Sequence, residues 1–193
     1  MPVIHKVLIW DPLLRLFHGL LVLGVGALFL LEEKWLTLHV IIGYGVLGLL
    51  LFRLIWGWMG PTHARFRDFV RPPTQTLDYL KAVVAGTAPR FVGHNPAGGM
   101  MVILLLATLL ATTLSGILTH AADQGGGLAA GMVALFAAGE NDWFESGHEF
   151  FAGLLLVLVL LHLGGVAFTS FHQRENLVKA MITGYKPCQE ERP

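Results

Sequence analysis

Charge and cysteine are what this chain has least of. Only 13% of its 193 residues are Asp, Glu, Lys or Arg, about half the share of an average soluble domain, whereas 54% are hydrophobic and the mean hydropathy is +0.64. A soluble globular domain is excluded by that balance; an integral membrane protein is not. The formal net charge is zero, so no global basic field points to nucleic acid. The single cysteine, Cys188, rules out a disulfide framework, a cysteine-built zinc cluster and a Cys-x-x-Cys-His attachment site. No internal repeat is visible.

What is there is four apolar runs. They extend from about Pro12 to Leu31, Trp35 to Met59, Ala97 to His120 and Gly147 to Ser170, each roughly the 20 residues that a helix needs to cross hydrocarbon. One domain over residues 1–193 is expected. The first run lacks a small-x-small cleavage site before Glu32, so it reads as a retained span and not a signal peptide. Only Glu32-Glu33-Lys34 separates runs one and two, so these helices form an antiparallel hairpin.

Two breaks carry short apolar pieces. Thr74 to Ala85 places Leu77, Leu80 and Val84 on one face, as a helix lying on the membrane surface would; Leu128 to Ala138 is likewise too short to span. Arg65, Arg67, Arg71, Lys81 and Arg90 crowd the second connection, while the third has no Lys or Arg. The excess of positive charge on cytoplasmic loops then puts both termini and the second connection in the cytoplasm of a bacterial inner-membrane protein.

Nine histidines are present, and two of them share the fourth run. His148 and His162 are 14 residues apart, roughly 21 Å along a helix and within about 40° of one face. An imidazole in hydrocarbon is costly unless ligated or paired. Topology gives each a companion: His18 lies about 10 Å and His162 about 12 Å from the cytoplasmic surface, while His39 and His148 both begin their helices at the opposite side. Two inward histidine pairs at two depths of a four-helix transmembrane bundle, all-α with short interfacial helices, are a way to hold cofactors between helices. Two six-coordinate haems fill them best, held by ligation and packing alone.

Arg15, one turn before His18, and Arg53, 14 residues after His39, sit where haem propionates would compensate them; snorkelling to the interface is the other reading. Gly43, Gly45, Gly48 and Gly153 suit either a flat macrocycle or close helix packing. His120 and His172 near helix ends, and His5, His63 and His94 in polar segments, read as interfacial or loop residues, with His120 the strongest rival to His39 or His148.

Several stretches together resemble the bacterial cytochrome b561 family, which includes the cytochrome b subunits of nickel-iron hydrogenases. They are Val7 to His18 (VLIWDPLLRLFH), His39 to Gly60 with its Gly-Tyr pair and the Arg53-to-Gly57 element, Gly93 to Gly99 (GHNPAGG), His148 to His162, and Arg174 to Gly184 (RENLVKAMITG). The resemblance implies a four-helix bundle with two b haems on histidines of helices one, two and four, which fall on His18, His39, His148 and His162. Hydrogenase-type members typically have an additional helix, which the four runs of this chain do not supply. It also implies electron transfer across the membrane between the quinone pool, ubiquinone or menaquinone, and a second partner.

The second partner is expected on the periplasmic face. Glu140, Asp142, Glu145 and Glu149 make that face acidic, which would steer a basic c-type cytochrome; a solvated loop is the plainer reading. A superoxide oxidase, passing electrons from periplasmic superoxide to quinone, is the enzyme alternative. Its anionic substrate fits an acidic outer face poorly. A transition-metal transporter would want ligands clustered at one depth, not two pairs.

Overall fold

A computed structural model describes residues 4–31, 33–124, 131 and 142–189. The chain between the third and fourth spans, with the expected short piece Leu128 to Ala138 and the acidic Glu140, therefore lies almost wholly outside the described residues. Four helices are long and apolar enough to cross a membrane: α1 (Pro12–Leu30), α2 (Leu36–Met59), α5 (Pro96–Gln124) and α6 (Asp142–His172). Between α2 and α5 lie the short α3 (Phe66–Phe69) and α4 (Pro73–Val84); α7 (Leu177–Thr183) follows α6. Strands β1 (Ile4–Leu8) and β2 (Tyr185–Gln189) pair antiparallel, with Ile4 opposite Gln189 and Leu8 opposite Tyr185. That pairing brings the segment before the first span beside the segment after the last, as an even number of crossings requires.

The helices begin where their caps are. Asp11 Oδ1 accepts hydrogen bonds from the amides of Leu13 and Leu14 at 3.0 and 3.1 Å, with Pro12 preset for the first turn. Asn95 Oδ1 accepts from the Gly98 amide at 2.7 Å, again just before a proline. Asn176 caps α7, which ends on Gly184 at a left-handed φ of 86°. Helices α5 and α6 outrun the apolar runs that announced them, at His120 and Gly147. Hydropathy marks the hydrocarbon edge, whereas backbone hydrogen bonding continues into the polar layer.

Along α5 the hydroxyls of Thr112, Thr113 and Thr119 return to carbonyls four residues back, at 2.9 to 3.0 Å. A polar side chain is thereby satisfied inside an apolar helix. Leu23, Leu30, Leu160 and Phe171 are among the many large apolar side chains left exposed on the long helices, the surface that lipid covers.

The chain forms two compact units, each assembled from separated segments. One comprises Leu20–Leu51 and Leu104–Leu160, and its core is Val46, Leu50, Leu109 and Leu155 with Leu21, Val25 and Leu28 of α1 packed around it. The other comprises Met1–Gly19, Phe52–Ile103 and Leu161–Pro193 and holds both strands, α3, α4 and α7. In it α4 turns Thr76 and Tyr79 inward and leaves Leu77, Leu80 and Val84 exposed, the outward apolar face of an interfacial helix. Its polar centre is Glu175, whose side chain is 3% exposed and lies 3.2 Å from Arg90 and 3.5 Å from Lys186.

Candidate cofactor-binding sites

The first unit brings His39 of α2 and His148 of α6 together. Their ring centroids are 6.1 Å apart and their planes 76° from parallel. Two imidazoles on opposite sides of one metal, each ligating nitrogen about 2 Å from it and roughly 1 Å from its own centroid, stand about 6 Å apart. The spacing therefore fits one ion held between two axial histidines. His148 is also prepared for that role: its Nδ1–H donates to the Thr112 carbonyl at 2.9 Å, with Ser115 Oγ at 3.5 Å. A hydrogen bond at one ring nitrogen fixes the tautomer and leaves the lone pair on the other, Nε2, for a ligand.

Gly116 makes that contact possible. A Cβ there would lie 2.9 Å from His148 Cε1 and 3.0 Å from its Nδ1, so any side chain would push the ring away from the Thr112 carbonyl. Around the pair opens a cavity of about 220 Å³, somewhat below ordinary ligand sites of roughly 300–1,000 Å³. Apolar Val25, Leu28, Leu109 and Leu155 line it together with Tyr44 and His120. Gly43 lines it too, while a Cβ added at Gly43, Gly45, Gly48 or Gly153 would meet nothing within 4 Å. Close helix packing thus does not account for those glycines.

In the second unit His18 of α1 and His162 of α6 lie within electrostatic reach of one another. His18 shares a cavity with Arg15, Gly19, Met181 and Ile182. Arg15 Nη1 donates to the Ile182 carbonyl at 2.6 Å, which ties α1 to the end of α7; its Nε is buried without a partner. Arg53 is 2% exposed, its guanidinium 4.7 Å above the Phe66 ring and 5.9 Å from Phe69. Gly57 admits Phe66 to that position, since a Cβ there would overlap the ring. Arg53 Nη1 has no partner. Snorkelling does not describe a guanidinium so enclosed.

His94 differs from the solvated loop residue that its polar connection suggests. Its ring sits 4.7 Å from Trp10 and 4.5 Å from Phe69, and its Nδ1 is buried without a hydrogen-bond partner. Burial, and then the positive charges of Arg53 and Lys186, push it down to about 3, so the imidazole is neutral at physiological pH. His63 approaches Gly93 from a left-handed φ of 74°, and His172 is exposed, stacked on Phe168 at 5.6 Å. His5 is a β1 residue. The contributions of Thr112, Gly116 and His94 were invisible in the sequence: a carbonyl acceptor, a close approach and a burial leave no periodic signal.

Among the described residues no group of three or more His, Cys, Asp and Glu could hold a bare metal ion. A metal bound by protein alone wants three or four ligands, whereas a porphyrin supplies four and leaves two axial positions. Paired imidazoles suit the second case. No curated protein and no solved structure matches the chain. Residues 9–184 match the model of a family described as prokaryotic cytochrome b561. That match spans all four long helices, so the chain belongs to the family and is a bacterial membrane cytochrome of the b type, an all-α, haem-binding protein of electron transfer.

Proposed function

We propose that this cytochrome carries electrons across the inner membrane between the quinone pool, ubiquinone or menaquinone, and a redox partner at the periplasmic face. In this reading it binds two b haems, one between His39 and His148 and the other between His18 and His162. The observation that carries it is the 6.1 Å spacing of His39 and His148 with the Thr112 carbonyl holding His148 Nδ1–H. When bound, haem supplies one-electron redox chemistry without any atom crossing the bilayer.

The chain's own residues do the positioning. Thr112 orients His148 and raises its basicity as a ligand. The apolar part of the wall around His39 and His148, with Val25, Leu28, Leu109 and Leu155, favours a centre that exchanges electrons. Arg53, with a buried Nη1 that has no partner, is the principal contact for propionate; Arg15 offers its Nε, while its Nη1 already donates to Ile182. A buried guanidinium and a carboxylate form a charge-assisted pair worth more than either group alone.

Basic residues between α2 and α5 argue for a cytoplasmic second connection and cytoplasmic termini. The opposite face carries Glu145 and Glu149, both exposed, which favours a basic partner such as a c-type cytochrome over the anion superoxide. A pyridine-haemochrome assay on the purified chain tests the reading. Two b haems per chain are expected; none, in protein made with haem in excess, would end it.

A further inference from the structure

Among the described residues, three buried side-chain nitrogens in the unit that holds His18 and His162 have no hydrogen-bond partner: the donors Arg53 Nη1 and Arg15 Nε, and His94 Nδ1, which donates in one tautomer. A buried donor left unpaired is rare and calls for a partner. The nearby carboxylates are already engaged. Asp11 accepts from the Leu13 and Leu14 amides through Oδ1 and from Trp56 Nε1 at 3.3 Å through Oδ2. Glu175 faces Arg90 and Lys186, its Oε1 paired by charge with Lys186 at 3.5 Å and otherwise without a hydrogen-bond partner. His94 is held by the rings of Trp10 and Phe69, not by its own polar atoms, and it lies within electrostatic reach of both Arg53 and His162. With cations around it, and with the described carboxylates Asp11 and Glu175 each already facing other donors, an anion brought from outside the chain is the acceptor that these nitrogens fit.

We infer that His94 contacts the cofactor, donating Nδ1–H beside Arg53 to a carboxylate side chain of the haem that His18 and His162 would hold. This rests on the two-haem reading. A neutral imidazole adds a directed donor without adding charge to a cluster that already has Arg53 and Lys186. Removing that donor leaves the carboxylate charge less compensated, which stabilises ferric iron and lowers the potential of that haem alone.

The test uses the full-length protein in detergent as wild type, His94→Phe and His94→Asn, each loaded with haem b or with its dimethyl ester. Haem content and both midpoint potentials are read by spectroelectrochemistry. With haem b, His94→Phe should lower the potential of, or lose, only the haem that His18→Ala removes. His94→Asn, whose amide can donate from near the Nδ1 position, should restore it. With the ester, wild type and His94→Phe should coincide.

Unchanged potentials in a His94→Phe protein that retains both haems would overturn the inference. So would a shift that persists with the ester, since the anion would then be a lipid or buffer phosphate. Loss of haem that His94→Asn fails to restore would reduce His94 to packing and overturn it too. Failure of the two-haem reading is separately visible: wild type would hold fewer than two haems, or His18→Ala and His162→Ala would remove different ones.

Discussion

The two histidine pairs are supported in opposite ways. Around His39 and His148 the support is mostly uncharged: a backbone carbonyl, threonine and serine hydroxyls, a glycine and apolar walls, with Asp123 also among the lining residues. Around His18 and His162 it is charged, and the charge is lopsided: Arg15 Nε and Arg53 Nη1 are buried without a hydrogen-bond partner, while Glu175 is already engaged by Lys186. The first arrangement is complete except for what sits between the rings. The second lacks counter-charge as well. A haem is asymmetric in the same sense, with an apolar macrocycle and two carboxylates at one edge, so the two surroundings suit different parts of one kind of cofactor.

The comparison breaks most sharply at the imidazoles. His18→Ala and His162→Ala should each lose the same haem, and His39→Ala and His148→Ala the other, taking the stoichiometry from two per chain to one. Haemochrome assays on the four variants check this; shared loss in His18→Ala and His148→Ala would contradict the pairing. Next comes Gly116→Leu, which should displace His148 from the Thr112 carbonyl and deplete or turn high-spin the His39–His148 haem only. Outer-shell changes of this type cost roughly 10–100-fold in affinity, readable by absorption spectra during haem titration.

Arg53→Gln should act on the other haem, lowering its potential and weakening its retention while Arg53→Lys keeps part of both; redox titration of the separate bands is the measurement. The smallest effect is on stability against pH in the haem-free protein. His94 titrates near 3 in the folded chain against an ordinary 6.5, so between those values the unfolded chain binds more protons. Stability is then full above about 6.5 and lost as pH falls toward about 3. Melting curves from pH 7.5 downward should slope less in His94→Phe.

Much of this was legible because a bilayer imposes its own pattern. Four runs without charge announce four helices whatever packs against them, and the exposed face of α4 follows from Leu77, Leu80 and Val84. The 14-residue spacing of His148 and His162 fixes a shared helix face. Their partners were reached through depth arithmetic, and the fold brings His39 to His148 and His18 within reach of His162; their role as ligands is the proposal above. The strands were missed, since five residues at each end gain their meaning only by pairing across the whole chain.

The sequence by itself determined the membrane spans, their order and the family, because hydrophobic length, charge placement and local motifs are properties of contiguous residues. Tertiary structure alone decided that the Thr112 carbonyl orients His148, that Arg15 is bound to Ile182 and that Arg53 Nη1 and His94 Nδ1 are buried without hydrogen-bond partners. Each of those depends on atoms brought together from distant segments. Only burial turns an ordinary polar atom into one that requires a partner.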